Sequence, residues 1–339
     1  MAELNISNQV GAREDLSDLI AVADQKSTPL LSQARKSKDA TNALFSWQVD
    51  AVSDPVLSGV LSNADATGSF VNPAANRARL YGRIQKLWRL PKVDDLAENV
   101  SDVAGIGRKR EMARAVTKGM QELARDLEAT FCSDQDSVAQ TVDTTAFKTR
   151  GLGSWIRATQ QADTATMTPP AFLTPAGSII TTATNSITDS SILGILQSVY
   201  EQVGKSKDYT LLCGPTLKRR FAAFQQTQFS TANTASAVRL FNQDSSDASY
   251  MAKVDVFIGD FGEISLVPSL FLAKDQSSAT QLRRGYLLDM DMVSIRYNRR
   301  PRYMPLPDLG GGPRGIIDTI AALQVDNPLA FGKIGSTAD

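Results

Sequence analysis

Two stretches of this 339-residue chain bring chemically useful side chains together. Asp289-Met290-Asp291 has the D-x-D spacing with which a strand turns two carboxylates to one side and can hold a divalent ion. Leu288, Met290 and Met292 oppose that reading: as the inward set of the same strand they leave both aspartates solvated on its wet face. The run IRYNRRPRY, residues 295–303, interleaves Arg296, Arg299, Arg300 and Arg302 with two tyrosines. Single-strand nucleic-acid binders use such a mixture, rings stacking on bases while guanidinium groups meet phosphate. Residues 283–314 hold seven Arg against three Asp, so the local charge fits a polyanion. The competing use is pairing of those arginines with acids such as Asp244, Asp247, Asp255, Asp260 and Glu263, on this or an adjacent copy.

Composition removes most other chemistry. The chain has no histidine, which eliminates Ser-His-Asp and Cys-His triads, imidazole bases and His-ligated zinc together. Cys132 and Cys213 stand 81 positions apart, form no C-x-x-C pair, and read as reduced core residues. No G-x-x-x-x-G-K-[ST] occurs, and the fragments GIG (105–107) and GLG (151–153) lack the third glycine and the strand-to-helix context of a dinucleotide loop. Lys+Arg 36 against Asp+Glu 36 gives no basic surplus for a dedicated nucleic-acid binder. The N-terminal residues lack the basic start and apolar run of a signal peptide, and no window approaches the ~18 apolar residues of a membrane span. A soluble protein made inside the cell, with no cofactor and no metal, is the expectation.

The elements that must position these residues follow from hydrophobic period. Residues 13–23 carry Leu16, Leu19, Ile20 and Ala23 at helical spacing, and the polar stretch after them has too little to bury alone. Residues 1–44 therefore read as an arm, ordered only where another surface such as a second subunit holds it. From Phe45 the period becomes two, with Trp47, Val49 and Ala51 on the apolar side. A turn-rich tract follows, then a second alternating strand over 77–85 with Arg77, Arg79 and Arg83 opposite Ala78, Leu80, Gly82 and Ile84. Together these describe a long hairpin with an extended tip. Further on, Met112, Val116, Met120, Leu123, Leu127 and Phe131 draw one apolar stripe, predicting an amphipathic helix over 107–131 of roughly 35 Å.

Residues 133–186 are rich in Thr, Ser, Ala and Pro and read as a connector wrapped over the body. Thr188 or Asp189 caps a helix that turns Ile192, Leu193, Leu196, Val199 and Val203 inward and ends at Gly204. A strand over 209–213, a helix started by Gly214-Pro215, and strands over 254–258, 264–267, 286–297 and 316–325 complete the α/β part. Gly310-Gly311-Gly312-Pro313 reads as a turn rather than a phosphate cradle, because no helix follows.

Charge is segregated on two of these elements. Residues 46–70 hold Asp50, Asp54 and Asp65 and no base, whereas residues 71–92 hold Arg77, Arg79, Arg83, Lys86, Arg89 and Lys92 and no acid. Exposed ion pairs within one molecule stabilise by only ~0–1 kcal/mol, so the segregation is better motivated between copies, where it steers docking; a merely solvated, aggregation-resistant hairpin is the plainer reading. The long helix places Arg108, Lys109, Arg110, Arg114 and Lys118 first and Glu122, Asp126 and Glu128 last. That order opposes the helix dipole, which suggests that these charges answer to a partner, although a solvated face has the same composition.

With arm, charged hairpin, long helix, connector and α/β unit in that order, the chain resembles the tailed-phage major capsid proteins of the Hong Kong 97-like fold. The likeness includes GAREDLSDLIAVADQKSTPLLSQ at the start, YGRIQKLWRLPKVDD before the long helix and VDNPLAFGKI near the end. The resemblance implies an α+β fold with an N-terminal arm (1–44), an extended loop (45–92), a peripheral domain with a spine helix (93–171), an axial domain (172–282) and returning C-terminal strands (283–339). It implies a shell-building protein without catalysis, assembling as pentamers and hexamers into an icosahedral virion head around double-stranded DNA after synthesis in a bacterial cytoplasm. DNA lies on the inner face, scaffolding, portal and decoration proteins are possible separate partners, and no membrane is involved. Some relatives crosslink a loop Lys to a neighbour's Asn; residues 46–85 contain no Lys, so that bond is not expected. Some begin with a cleaved scaffolding segment; this chain opens on the arm, so any scaffold is expected to be a separate protein. Intersubunit contacts are expected at Trp47, Asp50, Asp54, Asp65, Arg77, Arg79, Arg83, Arg89, Arg108, Arg110, Arg114 and Glu122, with Arg296, Arg299, Arg300 and Arg302 meeting nucleic acid or a neighbour. The alternative class is a nucleic-acid-binding protein built on 295–303.

Overall fold

A computed structural model describes residues 27–65, 72, 76–100, 111–142, 144–160, 167–224, 254–272 and 283–335. In chain order its elements are α1 (Pro29–Gln33), β1 (Arg35–Lys36), β2 (Leu44–Val49), β3 (Ala78–Arg83), β4 (Gln85–Arg89), α2 (Asp95–Val100), α3 (Glu111–Cys132) and α4 (Leu152–Trp155). There follow β5 (Ile179–Ile180), α5 (Asp189–Val203), β6 (Lys207–Cys213), α6 (Pro215–Phe224), β7 (Val256–Gly259), β8 (Gly262–Pro268), β9 (Gly285–Leu288), β10 (Val293–Leu306), β11 (Arg314–Val325) and β12 (Gly332–Ile334). Three sheets result, with strand orders β1-β10-β11-β4, β5-β12-β9-β6-β8-β7 and β2-β3. The expected helix of residues 13–23 and the start of the long helix at 107–110 lie outside the described residues.

Local sequence accounts for most of these boundaries. The Thr188 hydroxyl accepts the Ser191 N–H while Ser191 returns a bond to the Thr188 N–H, a reciprocal cap that satisfies two open donors at the start of α5. Gly204 closes the same helix in the left-handed conformation at φ 69°. The antiparallel β2–β3 ladder runs from Leu44 opposite Arg83 to Val49 opposite Ala78, so the hairpin predicted by alternation is present. Strand β3 breaks at Ile84, and the chain resumes as β4 in a different sheet.

The described residues fall into two contact units. One comprises 88–100, 111–123 and 301–318, and the other the remaining described residues. In the smaller unit, Gly312 has φ 88°, and a Cβ there would stand 2.3 Å from the Val93 carbonyl oxygen. Only glycine fits that close backbone approach. The Val93 N–H donates to Pro313 and the Gly315 N–H to Pro91, pinning the turn beside the entry to β11.

The larger unit holds two principal apolar clusters. In the first, Leu127, Phe131 and Cys132 of α3 meet Leu30 and Ala34, Leu152 and Trp155 of α4, Tyr286, Val293 and Ile295, and Leu323 and Val325 of β11. In the second, Ile192, Ile195, Leu196 and Val199 of α5 pack on Tyr209, Leu211, Ile264, Leu266 and Leu287 of the six-stranded sheet and on Leu217 and Phe221 of α6. The connector is more deeply engaged than its composition suggests, because Leu152, Trp155 and Ile156 are wholly buried.

One element differs in kind from expectation. Residues 286–297 form no single strand: β9 ends at Leu288, Met290–Met292 make a 3₁₀ turn, and β10 begins at Val293. The Asp289 carboxylate accepts the Asp291 N–H and so caps that turn. Asp289 is buried and takes the Lys207 ammonium at 2.5 Å, so it does not lie on a wet face. The two aspartates therefore do not share one side of a strand, and among the described residues no cluster of acids, Cys or His suits a metal.

Candidate assembly surfaces

The tip of the β2–β3 hairpin is where the chain departs furthest from the habits of a monomer. Residues 51–61 form no regular structure, and within them Val52 is 98%, Val56 84%, Leu57 96%, Val60 85% and Leu61 78% exposed. A contiguous apolar tract of this kind marks a surface that another molecule covers. Sequence reasoning singled out the flanking acids and missed these residues. Their recurrence at 52, 56/57 and 60/61 was the available signal, obscured by the Pro, Gly, Ser and Asp between them.

The hairpin charges are partly spent within the chain. Arg77 donates to Asp50 at 3.1 Å across the open end of the ladder, with both side chains about half exposed. Arg83 reaches the Ser137 hydroxyl at 3.3 Å. Asp54, Asp65 and Arg79 are exposed and make no ion pair among the described residues. Trp47 is turned inward, its ring 5.7 Å from Phe45 and 5.6 Å from Trp155, and its indole N–H donates to the Asp326 carbonyl at 3.2 Å.

In the smaller unit, Arg89 stands 3.9 Å from Glu122, which Lys118 also approaches at 3.9 Å. Arg114 is exposed on the same helix, while Arg108 and Arg110 lie outside the described residues. Exposed large apolar side chains recur in this unit too: Leu90, Leu96 and Leu309 are each more than half accessible.

The arginine run lies on β10 and is divided in role. Arg296 packs its guanidinium over the Phe45 ring, 4.9 Å from the centroid, and hydrogen-bonds Gln324. Burial lowers its pKa, opposed by the nearby Asp326. Arg302 pairs with the buried Asp318 at 3.2 Å, and the Arg299 carbonyl accepts the Thr319 hydroxyl. Arg300 is exposed with no ion pair among the described residues. Asp318 of β11 thus pairs within the cluster; of the acids expected from sequence, Asp255 takes Lys218, and Asp244 and Asp247 lie outside the described residues.

A polar hub that sequence reasoning did not foresee sits at the C-terminal end of α3. Asp134 receives Lys333 at 2.8 Å and Arg284 at 2.5 Å, and Lys333 also donates to the Gly153 carbonyl at 3.0 Å. Burial pushes the Asp134 carboxyl up, but Lys333, Arg284 and Arg157 outweigh it and hold the group below the usual carboxylate range. Alongside, the buried Arg150 donates to Ser154 and Thr168 and stacks 4.2 Å from the Trp155 ring; Ser154 in turn donates to Asp136 at 2.5 Å. Burial brings Arg150 down to about 10, with Asp136 opposing. The charged groups are engaged with one another and with neighbouring hydroxyls and carbonyls, while the buried Trp155 indole N–H has no hydrogen-bond partner among the described residues, and the hub reads as a structural clamp.

A family profile described as SU10 major capsid protein matches residues 4–338. A structure from Mycobacterium phage Bobi superposes with a TM-score of 0.62 at 13% identity, covering 100% of both chains. The capsid of an empty GTA particle gives 0.64 at 14% identity over 98% of each chain, and the capsid of cyanophage P-SCSP1u gives 0.56 at 13% identity over 96% of this chain and 93% of that one. No curated protein matches. At such identities the structures establish the fold, which is the Hong Kong 97-like fold of capsid subunits. The chain belongs to the SU10 major capsid protein family: it is a structural component of a phage virion and not an enzyme. The alternative of a dedicated nucleic-acid-binding protein finds no support among these relatives.

Proposed function

We propose that copies of this chain close into the icosahedral head of a tailed phage, as pentamers and hexamers around double-stranded DNA, with the hairpin of residues 45–90 lying across a neighbouring subunit. The observation that carries the reading is the run of five apolar side chains from Val52 to Leu61, each more than three-quarters exposed within ten residues of one another. Covering that tract contributes roughly 25 cal/mol per Å² of apolar surface, and repetition around a closed shell multiplies the effect. The exposed Asp54, Asp65 and Arg79 set its register by charge. Arg300 faces solvent and is free to meet a neighbour or the genome. Synthesis in the host cytoplasm, and separate scaffolding, portal and decoration proteins, fit the same reading; among the described residues no helix is long and apolar enough to cross a membrane.

Electron microscopy and sizing of the expressed full chain test the proposal. Closed shells or capsomer rings are expected. A chain that stays monomeric at every concentration and salt reached, with its hairpin resistant to protease, overturns it.

A further inference from the structure

The carboxylate of Glu128, on α3, is wholly buried and has no cationic partner among the described residues. Its two oxygens accept the backbone N–H groups of Leu30 and Leu31, each at 2.8 Å, from a segment 98 and 97 positions away. Those donors open α1, whose Leu30 is fully buried in the same apolar cluster as Leu127 and Phe131. A buried acid held only by neutral donors is an expensive way to fasten a peptide, since desolvation of an ionised carboxylate exceeds what two amides return. An amide side chain would hold one of these donors without that penalty.

We propose that Glu128 is a proton-linked clasp, which fastens the segment of residues 27–36 to the spine helix and loosens as its carboxyl ionises. The other groups facing the carboxyl do not supply a competing switch. From its own helix the Cys132 thiol lies 4.0 Å away, and burial together with Glu128 holds that thiol protonated. From α1 come only the two N–H groups, because the Ser32 hydroxyl is engaged with the Pro29 carbonyl. Arg35, the nearest base along the segment, is committed to Asp326 at 2.7 Å. The rest of the cluster supplies apolar side chains and two tyrosines, Tyr286 and Tyr297, whose hydroxyls burial pushes up and so keeps protonated.

The direction follows from linkage. Burial raises the Glu128 carboxyl from the ordinary 4.5 to about 7, against the lowering effect of the Leu30 and Leu31 amides. Undocking of the segment returns the group to water and to its ordinary value. Docking therefore takes up a proton: its stabilisation is complete below pH 4.5 and is lost as pH rises through about 7. The full span is about 300-fold in the docking equilibrium, of which about 30-fold falls between about pH 5.5 and about pH 8. This rests on the chain's own packing and is independent of the shell reading.

Hydrogen exchange of the Leu30 and Leu31 amides in the full-length chain, with the intrinsic pH dependence of exchange divided out, tests it. Protection in the unmodified protein is expected to fall about 30-fold over that interval, while β11 amides serve as the invariant control. In Glu128→Gln the profile is expected to be flat. Should that variant fail to fold, carbon NMR titration of the Glu128 carboxyl in the unmodified chain decides the matter: an apparent pKa near 7 supports the clasp. Either a value near 4.5, or an equally steep profile in Glu128→Gln, overturns it.

Discussion

Replacing Leu57 and Leu61 together by serine separates folding from assembly. Both side chains belong to the hairpin tip, where they are 96% and 78% exposed, so neither contributes appreciably to the subunit's own core. Substitutions at such positions change stability by about 0.5 kcal/mol or less each. Under a neighbouring subunit each leucine instead contributes about 1.5–3 kcal/mol on burial. The double variant then forfeits about 3–6 kcal/mol for every loop contact, roughly 10²- to 10⁴-fold in association. On the proposed arrangement each copy both donates and receives a loop, so that the loss recurs around every ring and compounds over the shell. Thermal melting of the unassembled subunit and electron microscopy with sedimentation at matched concentration give the two readouts. The expected result is an unchanged melting midpoint with particle formation abolished or displaced to far higher concentration. Particles at the unmodified protein's yield and threshold concentration refute the reasoning.

Three smaller perturbations probe the interior. A Cβ on Gly153 would stand 1.7 Å from the Asp134 carboxylate and 2.6 Å from the Tyr286 hydroxyl, so Gly153→Ala is expected to lower stability by about 1–3 kcal/mol in denaturant unfolding by dislodging the acid from Lys333 and Arg284. Both thiols are buried and burial raises them, Cys213 to about 12 and Cys132 well above its ordinary value. Mass spectrometry should accordingly find neither alkylated at about pH 8 while the chain is folded, and both modified in denaturant; labelling of a native thiol contradicts this. Thr188→Ala removes the reciprocal cap of α5 and should cost about 1 kcal/mol in a thermal melt, against near-neutrality if the cap were idle.

What could be read from sequence divides along the range of the interaction that decides it. The bounds of helix α5 were legible, because its cap, apolar stripe and terminal glycine lie within one short window, although its buried face includes Ile195, which the reading did not name, and leaves Leu193 and Val203 half-buried. The stripe of α3 and the alternation of β2 and β3 are likewise local, and both elements are present. The 3₁₀ break at Met290–Met292 was not legible, since the alternation of Leu288, Met290 and Met292 mimics a strand while the ion pair that buries Asp289 comes from Lys207, 82 positions away. Trp47 shows the same limit: its apolar side was readable, but its partners Trp155 and Asp326 were not. Strands β5 and β12, of two and three residues, are too short to carry a period at all.

The candidate surface was half visible for a related reason. Charge is conspicuous in a sequence, so the hairpin's acids and bases drew attention, yet the structure joins Arg77 to Asp50 within the chain and commits Arg302 to Asp318. Apolar residues set among turn formers are easily read as mere loop, although these five are among the most exposed large apolar side chains of the described residues. The contrast with the interior is the stronger argument for a partner. Arg150, Asp289, Asp318 and Glu128 are buried polar groups that folding must desolvate, while the hairpin tip leaves accessible the apolar surface whose burial would offset such a cost. A chain destined to stay alone gains nothing from that inversion; one whose neighbour covers the tip gains on association the burial that folding by itself leaves undone.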